Sequence, residues 1–209
     1  MGLSLRNVEV SVVSKNKVQA KQFGEMMFTH FGLTGPTILS LSHMVGKLLR
    51  KKNPQITIEI NLKPALTAEV LNKRLQKDFD LYSKKQLANG MKDLLPVNLI
   101  PIVIKLAELD STKPINQITK EERLRLCHVL QHMTLTVKEL RPVAEAIVTA
   151  GGISLKEFNP KTMESKLIGG LYCACEVLDI DAFTGGYNLQ AAFSTGYVAA
   201  MHAVHGDEE

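Results

Sequence analysis

The chain has 209 residues, of which 45% are apolar and 22% are charged, and its formal net charge is +4. This composition is typical of a globular protein and excludes the disordered, collagen-like and low-complexity classes. The length fits one large or two small domains with a substantial buried core. The sequence has neither the ~18 apolar residues of a membrane-spanning helix nor a secretory signal, so we expect a cytoplasmic protein with no membrane partner.

The spacing of cysteines and histidines argues against a metal site. Cys127, Cys173 and Cys175 are too few for a disulfide framework, and the last two lack the second pair that a zinc site needs. Histidines also form helical pairs, at 128 and 132 and at 202 and 205, but no carboxylate or cysteine completes either set. We therefore expect reduced, structural thiols and no metal.

Charge is distributed unevenly along the chain. Residues 47–85 carry ten Lys and Arg against four Asp and Glu, whereas residues 145–209 carry three against nine. The basic segment has almost no interleaved aromatic residues, and half of its charges have the spacing of a solvated helix face. The sequence therefore predicts no nucleic-acid partner.

The first 66 residues are predicted to be rich in strands. Residues 5–13 and 56–62 alternate between apolar and polar side chains, as half-buried strands do. Between them, the apolar residues of 38–49 have the spacing of an amphipathic helix. Residues 24–36, which are rich in glycine, precede that helix.

Residues 67–133 are predicted to form a helical subdomain. One helix would run from the N-cap Thr67 to a stop near Gly90, and a second from Pro96 to about Leu109. A third would begin at the capping box of Thr119 and Glu122. We expect this subdomain to have a structural role, in which it packs against and covers other parts of the protein.

The remainder of the chain changes in character. Two short apolar runs, 144–148 and 171–178, are bounded by Gly-Gly pairs, which indicates buried strands. The pair Gly185 and Gly186 precedes a predicted helix over 187–205 that is rich in small residues. Small side chains let another backbone or a ligand approach closely.

Three stretches carry a resemblance to a known family. They are Gly24 to Pro36, Val148 to Lys166, and Leu171 to Gln190 with its sequence Thr-Gly-Gly-Tyr-Asn-Leu-Gln. In this order they resemble bacterial NAD(P)/FAD-dependent oxidoreductases, the family of aminoacetone oxidase-like and bile-acid dehydroxylation-type flavoproteins. The resemblance spans nearly the whole chain.

The resemblance implies an α+β fold in two parts. Residues 1–140 would be an inserted substrate-side domain, with strands in 1–66 and the helical subdomain in 67–133. Residues 141–209 would be the C-terminal piece of a Rossmann-like FAD-binding domain. The family holds the FAD pyrophosphate with a G-x-G-x-x-G pattern, which this sequence lacks. The chain therefore resembles the C-terminal half of a longer flavoprotein.

The Gly-Gly pair before the last helix is the clearest candidate cofactor site. A flavin needs hydrogen-bond donors near N1 and the C2 carbonyl, where negative charge accumulates on reduction, and a helix N-terminus supplies them. Gly185 and Gly186 would permit close approach, and the main-chain N–H groups of Tyr187, Asn188 and Leu189 would make the contacts. The alternative is a strand-to-helix turn that binds nothing.

Other cofactor residues are implied by the resemblance alone. Glu176 stands where such flavoproteins place a carboxylate that accepts a hydrogen bond from a ribityl hydroxyl, although a solvated acid is the alternative. Four further residues lie in the matching stretches and are implied to contact FAD: Asp179, Gly151, Gly152 and Thr162. Family members usually have glycine where this sequence has Cys175 and Ala182, and a Cβ at 175 could crowd the ribityl chain.

Thr29 and His30 are the candidate catalytic residues, because they lie in a stretch that the resemblance places on the substrate side. A histidine can donate a proton near neutral pH or orient a substrate. The alternative for His30, which is flanked by phenylalanines on both sides, is a satisfied core residue.

Two functions remain open from the sequence. The first is the C-terminal part of an FAD-dependent oxidoreductase that moves a hydride or electron pair between flavin and a small organic substrate. The second is a non-catalytic scaffold that binds no FAD alone and needs an N-terminal half as its partner. In either case we expect weak or absent FAD binding by this chain alone. We also expect self-association, because the predicted strands near 144–154 and 171–178 would have unpaired edges.

Overall fold

The computed structural model describes residues 2–51 and 55–205. The chain divides into two compact units, Met1–Lys138 and Glu139–Glu209. In the described part of the chain, every helix is too short or too polar to cross a bilayer. The identities predicted for residues 1–140 and 141–209 stay predictions, because compactness alone does not show what each unit is.

The first unit contains a five-stranded antiparallel sheet with the strand order β3-β2-β1-β4-β5. Its strands are β1 (Leu3–Ser14), β2 (Lys17–Phe28), β3 (Leu33–Thr34), β4 (Ile56–Asn61) and β5 (Met133–Thr136). The predicted strands at 5–13 and 56–62 are confirmed as β1 and β4, which pair from Glu9 opposite Asn61 to Ser14 opposite Ile56. The sequence did not predict β2, β3 or β5.

A tight turn joins β1 to β2. Lys15 and Asn16 both have positive φ, 53° and 58°, as the two central residues of a type I′ hairpin turn do. Strand β2 lacks an apolar stripe, and its Val18 and Phe23 are both 59% exposed. Because its apolar residues do not alternate regularly with polar ones, periodicity could not find this strand, which its hydrogen bonds to β1 place in the sheet.

The helices are α1 (Pro36–Leu49), α2 (Ala68–Leu81), α3 (Leu87–Gly90), α4 (Ile100–Leu106), α5 (Lys120–Gln131) and α6 (Tyr187–His205). The predicted helix at 38–49 is confirmed as α1, which buries Leu41, Val45 and Leu48. Its contacts are mainly with β2 and also with β1 and β4. The capping box is confirmed at the start of α5. The Thr119 side chain accepts from the Glu122 N–H, and the Glu122 side chain accepts from the Thr119 N–H.

Two predicted helices are shorter than expected. The helix from Thr67 ends at Leu81, because the backbone of 83–88 bonds to that of 111–116 instead of continuing the helix. Gly90 does not cap α2, since it lies in α3, where an added Cβ would collide with the side chain of Ile115. The helix predicted from Pro96 to Leu109 spans only α4, after a turn over 96–99.

The core of the first unit is one cluster of buried residues from the sheet and from α1, α2, α4 and α5. Val10 and Ile60 of the central strands are fully buried, as are Leu71 on α2 and Leu126 on α5. Cys127 is also buried, and this burial raises the pKa of its thiol, which keeps it protonated and unreactive. The first unit therefore has an extensive core of its own.

The second unit has no regular strand in its described residues 139–205, so the two strands predicted there are wrong. Residues 143–145 form a 3₁₀ turn, and the run 171–178 is interrupted by another at Cys175–Val177. Three isolated bridges occur instead: Ile153 with Leu178, Phe158 with Ser165, and Glu164 with Tyr172. The strand edges expected to cause self-association are therefore not present.

The helix predicted over 187–205 is confirmed with the same bounds as α6. Over residues 139–205, the buried apolar residues of this unit are Phe158, Met163, Leu178 and Ala199, the last of which lies on α6. With its antiparallel sheet and helices, the chain has the α+β class that the sequence predicted. The Rossmann-like nature of residues 141–209 stays a prediction.

The capping box of α5 predicts a pH dependence of stability. Hydrogen bonds from the Lys113 ammonium group, at 2.7 Å, and from the Thr119 N–H hold the pKa of Glu122 below its usual value. A lowered folded-state pKa gives stability that is complete above the unfolded value of about 4.3 and is lost as the pH falls through the folded value. We therefore expect Glu122→Gln to lower the free energy of unfolding at pH 7, and the difference from wild type to shrink below about pH 4.3.

Urea unfolding at pH 3 to 7 measures this difference. Glu121→Gln is the matched control, since Glu121 is exposed one residue away on the same helix turn. A difference between wild type and Glu122→Gln that stays constant down to pH 3 would contradict the assignment.

Candidate functional site

The Gly151-Gly152 pair lies against the segment that carries the predicted FAD carboxylates. The Ile153 N–H donates to the Val177 carbonyl at 2.9 Å, and the Asp179 N–H donates to the Ile153 carbonyl at 3.0 Å. An ideal Cβ on Gly152 would lie 2.6 Å from the Val177 oxygen and 2.8 Å from the Asp179 nitrogen. Gly152 is therefore required for the close approach of two backbones. Gly151 has a φ of 102° and open space around its Cβ position.

The 3₁₀ turn Cys175–Val177 places Glu176 beside α6. The Cys175 N–H donates to the Thr195 hydroxyl at 3.0 Å, and its thiol lies 3.4 Å from the Ala192 carbonyl oxygen. A Cβ on Gly196 would lie 3.5 Å from the same sulfur, so small residues on α6 make room for the turn. Glu176 and Asp179 are both exposed. Glu176 lies in this turn and not in the strand predicted over 171–178.

Cys175 has a φ of 63°, a left-handed conformation that favours glycine. This is the position at which the family resemblance predicts glycine. The sequence thus has cysteine at a position where the backbone conformation favours the glycine that the family usually has. The side chain that replaces it is held against α6 by its sulfur contact.

The N-terminus of α6 is preceded by a closed loop. The Ala182 N–H donates to Oδ1 of Asn188 at 2.9 Å, and Nδ2 of Asn188 donates to the Ala182 carbonyl at 3.0 Å. Within this loop Gly185 and Gly186 have φ values of 118° and 94°, and no atom lies within 4 Å of the Cβ position of Gly186. The Tyr187 ring lies 3.7 Å from the Cβ position of Gly185. The loop is thus clamped by the Asn188 side chain and open at Gly186.

The first i to i−4 hydrogen bond of α6 runs from the Gln190 N–H to the Gly186 carbonyl at 2.9 Å. The amides of the first turn lie before Gln190 in the sequence. Those of Tyr187, Asn188 and Leu189 therefore lie at the positive end of the helix dipole. The sequence pattern predicted the Asn188 main chain at this helix terminus, but not the hydrogen bonds of its side chain to Ala182. A lone Asn after Gly-Gly in a segment of small and apolar residues was the only sign of it.

Thr162 is buried in a hairpin of the same unit. Its hydroxyl accepts a hydrogen bond from the Glu164 N–H at 3.2 Å, and Met163 beside it has a φ of 60°. The Met163 carbonyl accepts from the Cys173 N–H at 3.2 Å, which links this hairpin to the chain just before the 3₁₀ turn. Thr162 thus shapes the hairpin, and its role toward FAD stays a prediction.

Thr29 and His30 lie in the first unit, in the tight turn between β2 and β3. The Thr29 hydroxyl lies 3.1 Å from the Gly32 carbonyl and 3.2 Å from the Gly32 nitrogen, which closes the turn. His30 is exposed and meets Phe31 edge to face with ring centroids 5.1 Å apart. The alternative that His30 is a core residue is therefore wrong. Its imidazole is accessible to a substrate.

Several sequence-predicted residues are brought together and others are not. Gly152, Glu176, Asp179 and the α6 residues share one connected scaffold in the second unit, whereas Thr29 and His30 belong to the first. Across residues 2–51 and 55–205, no three His, Cys, Asp or Glu side chains are grouped so that they could hold a metal ion.

Comparison with known proteins identifies one matching family. Residues 1–148 match the family described as HI0933-like protein barrel and H2TH domain. The match covers the first unit and the start of the second.

Three curated relatives are similar to this chain. The 3-dehydro-bile acid delta(4,6)-reductase of Clostridium scindens is 27% identical over 94% of this chain and 48% of its own length. The ribosomal RNA dihydrouridine synthase of Haemophilus influenzae is 31% identical over 86% of this chain and 42% of its own length. The enzyme of the same name from Escherichia coli is 27% identical over the same shares. The chain thus spans about half the length of the curated relatives it matches.

The close backbone contact at Gly152 predicts a destabilised second unit on substitution. In Gly152→Ala the new Cβ would displace the backbone of 177–179, and overpacking of this kind costs about 1–3 kcal/mol. Hydrogen exchange should therefore lose protection at the amides of Ile153 and Asp179. Gly169→Ala is the matched control, because no atom lies within 4 Å of its Cβ position. Equal protection in the two variants would contradict the prediction.

Proposed function

The chain belongs to the HI0933-like protein family, and we propose that it is the C-terminal part of an FAD-dependent oxidoreductase. It would move a hydride or electron pair between the flavin and an organic substrate. The observation that carries the proposal is the open Gly185-Gly186 turn at the N-terminus of α6, with Glu176 held on a turn against the same helix. The names of the relatives, a reductase and two dihydrouridine synthases, support a redox reaction.

The residues present fit the flavin end of FAD. Positive φ values at Gly185 and Gly186, and open space at Gly186, would let a flat ring approach the backbone. The first-turn amides of α6 would then donate hydrogen bonds to the pyrimidine edge of the flavin, through the main-chain N–H groups of Tyr187, Asn188 and Leu189. The Asn188 side chain is already bonded to Ala182, so it would hold the loop in place and not touch the cofactor.

The chain offers fewer contacts for the pyrophosphate end of FAD. Its sequence has no G-x-G-x-x-G pattern with which to hold the pyrophosphate. We propose that Glu176 accepts a hydrogen bond from a ribityl hydroxyl and that Asp179 lies near the cofactor, with Gly151, Gly152 and Thr162 shaping the surrounding backbone. An N-terminal half would supply the pyrophosphate site.

Bound FAD would supply the redox chemistry itself, and the protein would position the reactants and stabilise charge. In this proposal the amides at the α6 N-terminus favour the negative charge that develops near N1 and the C2 carbonyl on reduction. The exposed imidazole of His30 would deliver or accept the substrate proton, and Thr29 would hold the turn that presents it.

The substrate is proposed to be a small organic molecule. The relatives carry names that refer to two substrate classes, a bile acid and ribosomal RNA. Activity toward either class would therefore be assayed in parallel. The competing hypothesis is a non-catalytic scaffold that binds no FAD alone and needs an N-terminal half as its partner.

Titration of FAD against the chain, followed by flavin fluorescence, tests the cofactor proposal. Without a pyrophosphate site the complex lacks charge-assisted hydrogen bonds worth about 1.5–3 kcal/mol each. The loss of three such bonds weakens binding by about three to six decades. We therefore expect weak or no binding by the chain alone and tight binding once an N-terminal half is supplied.

Submicromolar FAD binding by the chain alone would contradict this expectation, and no binding by the completed protein would favour the scaffold. In the completed protein Cys175→Gly should tighten FAD binding, because it removes a Cβ from a position with φ of 63° beside the proposed ribityl site. Cys175→Ser is the matched control, since it keeps the Cβ.

The proposed role of His30 predicts a change in rate without a change in cofactor binding. In the completed protein, His30→Gln should lower kcat by about 10²–10⁴-fold, the usual contribution of a general acid or base. The FAD affinity should stay unchanged. His128→Gln, an exposed histidine on α5, is the control. An unchanged kcat in His30→Gln would remove His30 from the mechanism.

A further inference from the structure

His30 and Phe31 are the two central residues of the tight turn between β2 and β3. The Thr29 N–H donates to the Gly32 carbonyl at 2.8 Å, and the Thr29 hydroxyl accepts from the Gly32 N–H at 3.2 Å. The backbone on either side of the two central residues is therefore held by hydrogen bonds. The freedom that remains to the His30 side chain is rotation about its own χ angles.

Phe31 is not a typical residue for such a turn, because turns favour glycine and small polar side chains. The Phe31 side chain is 45% exposed, whereas Phe28 at the end of β2 packs against the core of the first unit. Burial in that core therefore accounts for Phe28 but not for the position of Phe31. The Phe31 ring lies at the surface of the turn, next to the imidazole of His30.

The rings of His30 and Phe31 meet edge to face. Their centroids are 5.1 Å apart and their planes are inclined by 79°. Aromatic pairs prefer this T-shaped arrangement, with centroids roughly 4.5–7 Å apart, over direct face-to-face stacking. The contact therefore favours one orientation of an imidazole that is otherwise exposed to solvent.

A catalytic imidazole is commonly oriented by a hydrogen bond from one of its ring nitrogens to a carboxylate or a backbone carbonyl. The chain has such an arrangement elsewhere, since Nδ1 of His132 lies 3.2 Å from a carboxylate oxygen of Glu59. Within residues 2–51 and 55–205, neither ring nitrogen of His30 has a hydrogen-bond partner. Both nitrogens are therefore available to a substrate, and the ring of Phe31 provides the orienting contact.

We propose that Phe31 is a positioning residue, which holds the His30 imidazole in the orientation for proton exchange with the substrate. The proton step belongs to the proposed function, on which this role rests, whereas the ring contact itself needs neither flavin nor substrate. Phe31 acts through His30 and takes no part in the bonds that change. Aromatic pairs of this kind favour their paired orientation by about two- to twelvefold, which sets the scale of the loss when the Phe31 ring is removed.

NMR of the chain without flavin tests the contact. We expect nuclear Overhauser effects between the His30 and Phe31 rings and a ring-current shift of the imidazole C–H resonances, which are assigned by their loss in His30→Gln. Phe31→Leu should abolish the shift, and Phe31→Tyr should retain it because it keeps the ring. Phe23→Leu is the matched control, since Phe23 is a 59% exposed residue of β2. Imidazole resonances that are the same in wild type and Phe31→Leu overturn the proposal.

Kinetics of the completed protein test the positioning role, with whichever of the bile acid and RNA substrates is turned over. Phe31→Leu should lower kcat about two- to twelvefold and leave KM and the FAD affinity unchanged. Phe31→Tyr should retain the wild-type kcat, and so should the control Phe23→Leu. In His30→Gln, the additional change Phe31→Leu should lower kcat no further, because Phe31 acts only through the imidazole.

The outcomes separate the role of Phe31 from the proposed function. If His30→Gln lowers kcat but Phe31→Leu does not, or if the two losses add in the double variant, Phe31 is not a positioning residue and the proposed function stands. A raised KM with unchanged kcat in Phe31→Leu would place Phe31 in substrate binding and also overturn the proposal. If neither substrate is turned over, or if His30→Gln itself leaves kcat unchanged, the proposed role of His30 is wrong and that of Phe31 with it.

Discussion

The second unit depends on the close approach of the 175–177 turn to α6. Two hydrogen-bonding contacts from Cys175, one to Thr195 and one to Ala192, join the turn to the helix, and Gly196 leaves space for the sulfur. The same segment is joined at its other end to Gly152, whose missing side chain lets the two backbones meet. These contacts set where Glu176 lies relative to α6 and therefore define the candidate flavin site.

The two units differ in how their stability arises. The first combines a five-stranded sheet with helices that bury side chains such as Val10 and Leu71 completely, so its core suffices to hold it together. In its described residues 139–205, the second has three isolated bridges, 3₁₀ turns and α6, with four buried apolar residues in its core. Its order therefore depends strongly on specific backbone contacts.

This division matches the chemistry proposed for the family. Helix amides can bind the electron-rich edge of a flavin and a carboxylate can accept from a ribityl hydroxyl, but phosphate groups need a site of their own. The clamp between Asn188 and Ala182 holds the glycine turn in place before any ligand arrives, and preorganised donors of this kind lower the cost of binding.

Features with local causes could be predicted from the sequence. The alternation of β1 and β4, the apolar spacing of α1, the capping box of α5 and the bounds of α6 all follow from side chains a few residues apart. The glycine turn before α6 was found in the same way.

Features that need a distant partner could not be predicted. Strand β2 is held by its bonds to β1, the 83–88 segment leaves the helix to bond to 111–116, and the apolar run 171–178 forms no strand among the described residues. The tertiary structure also decided that Asn188 bonds to Ala182 and that His30 is exposed, because a side chain's partner depends on which backbone lies beside it, and spacing along the chain does not contain that information.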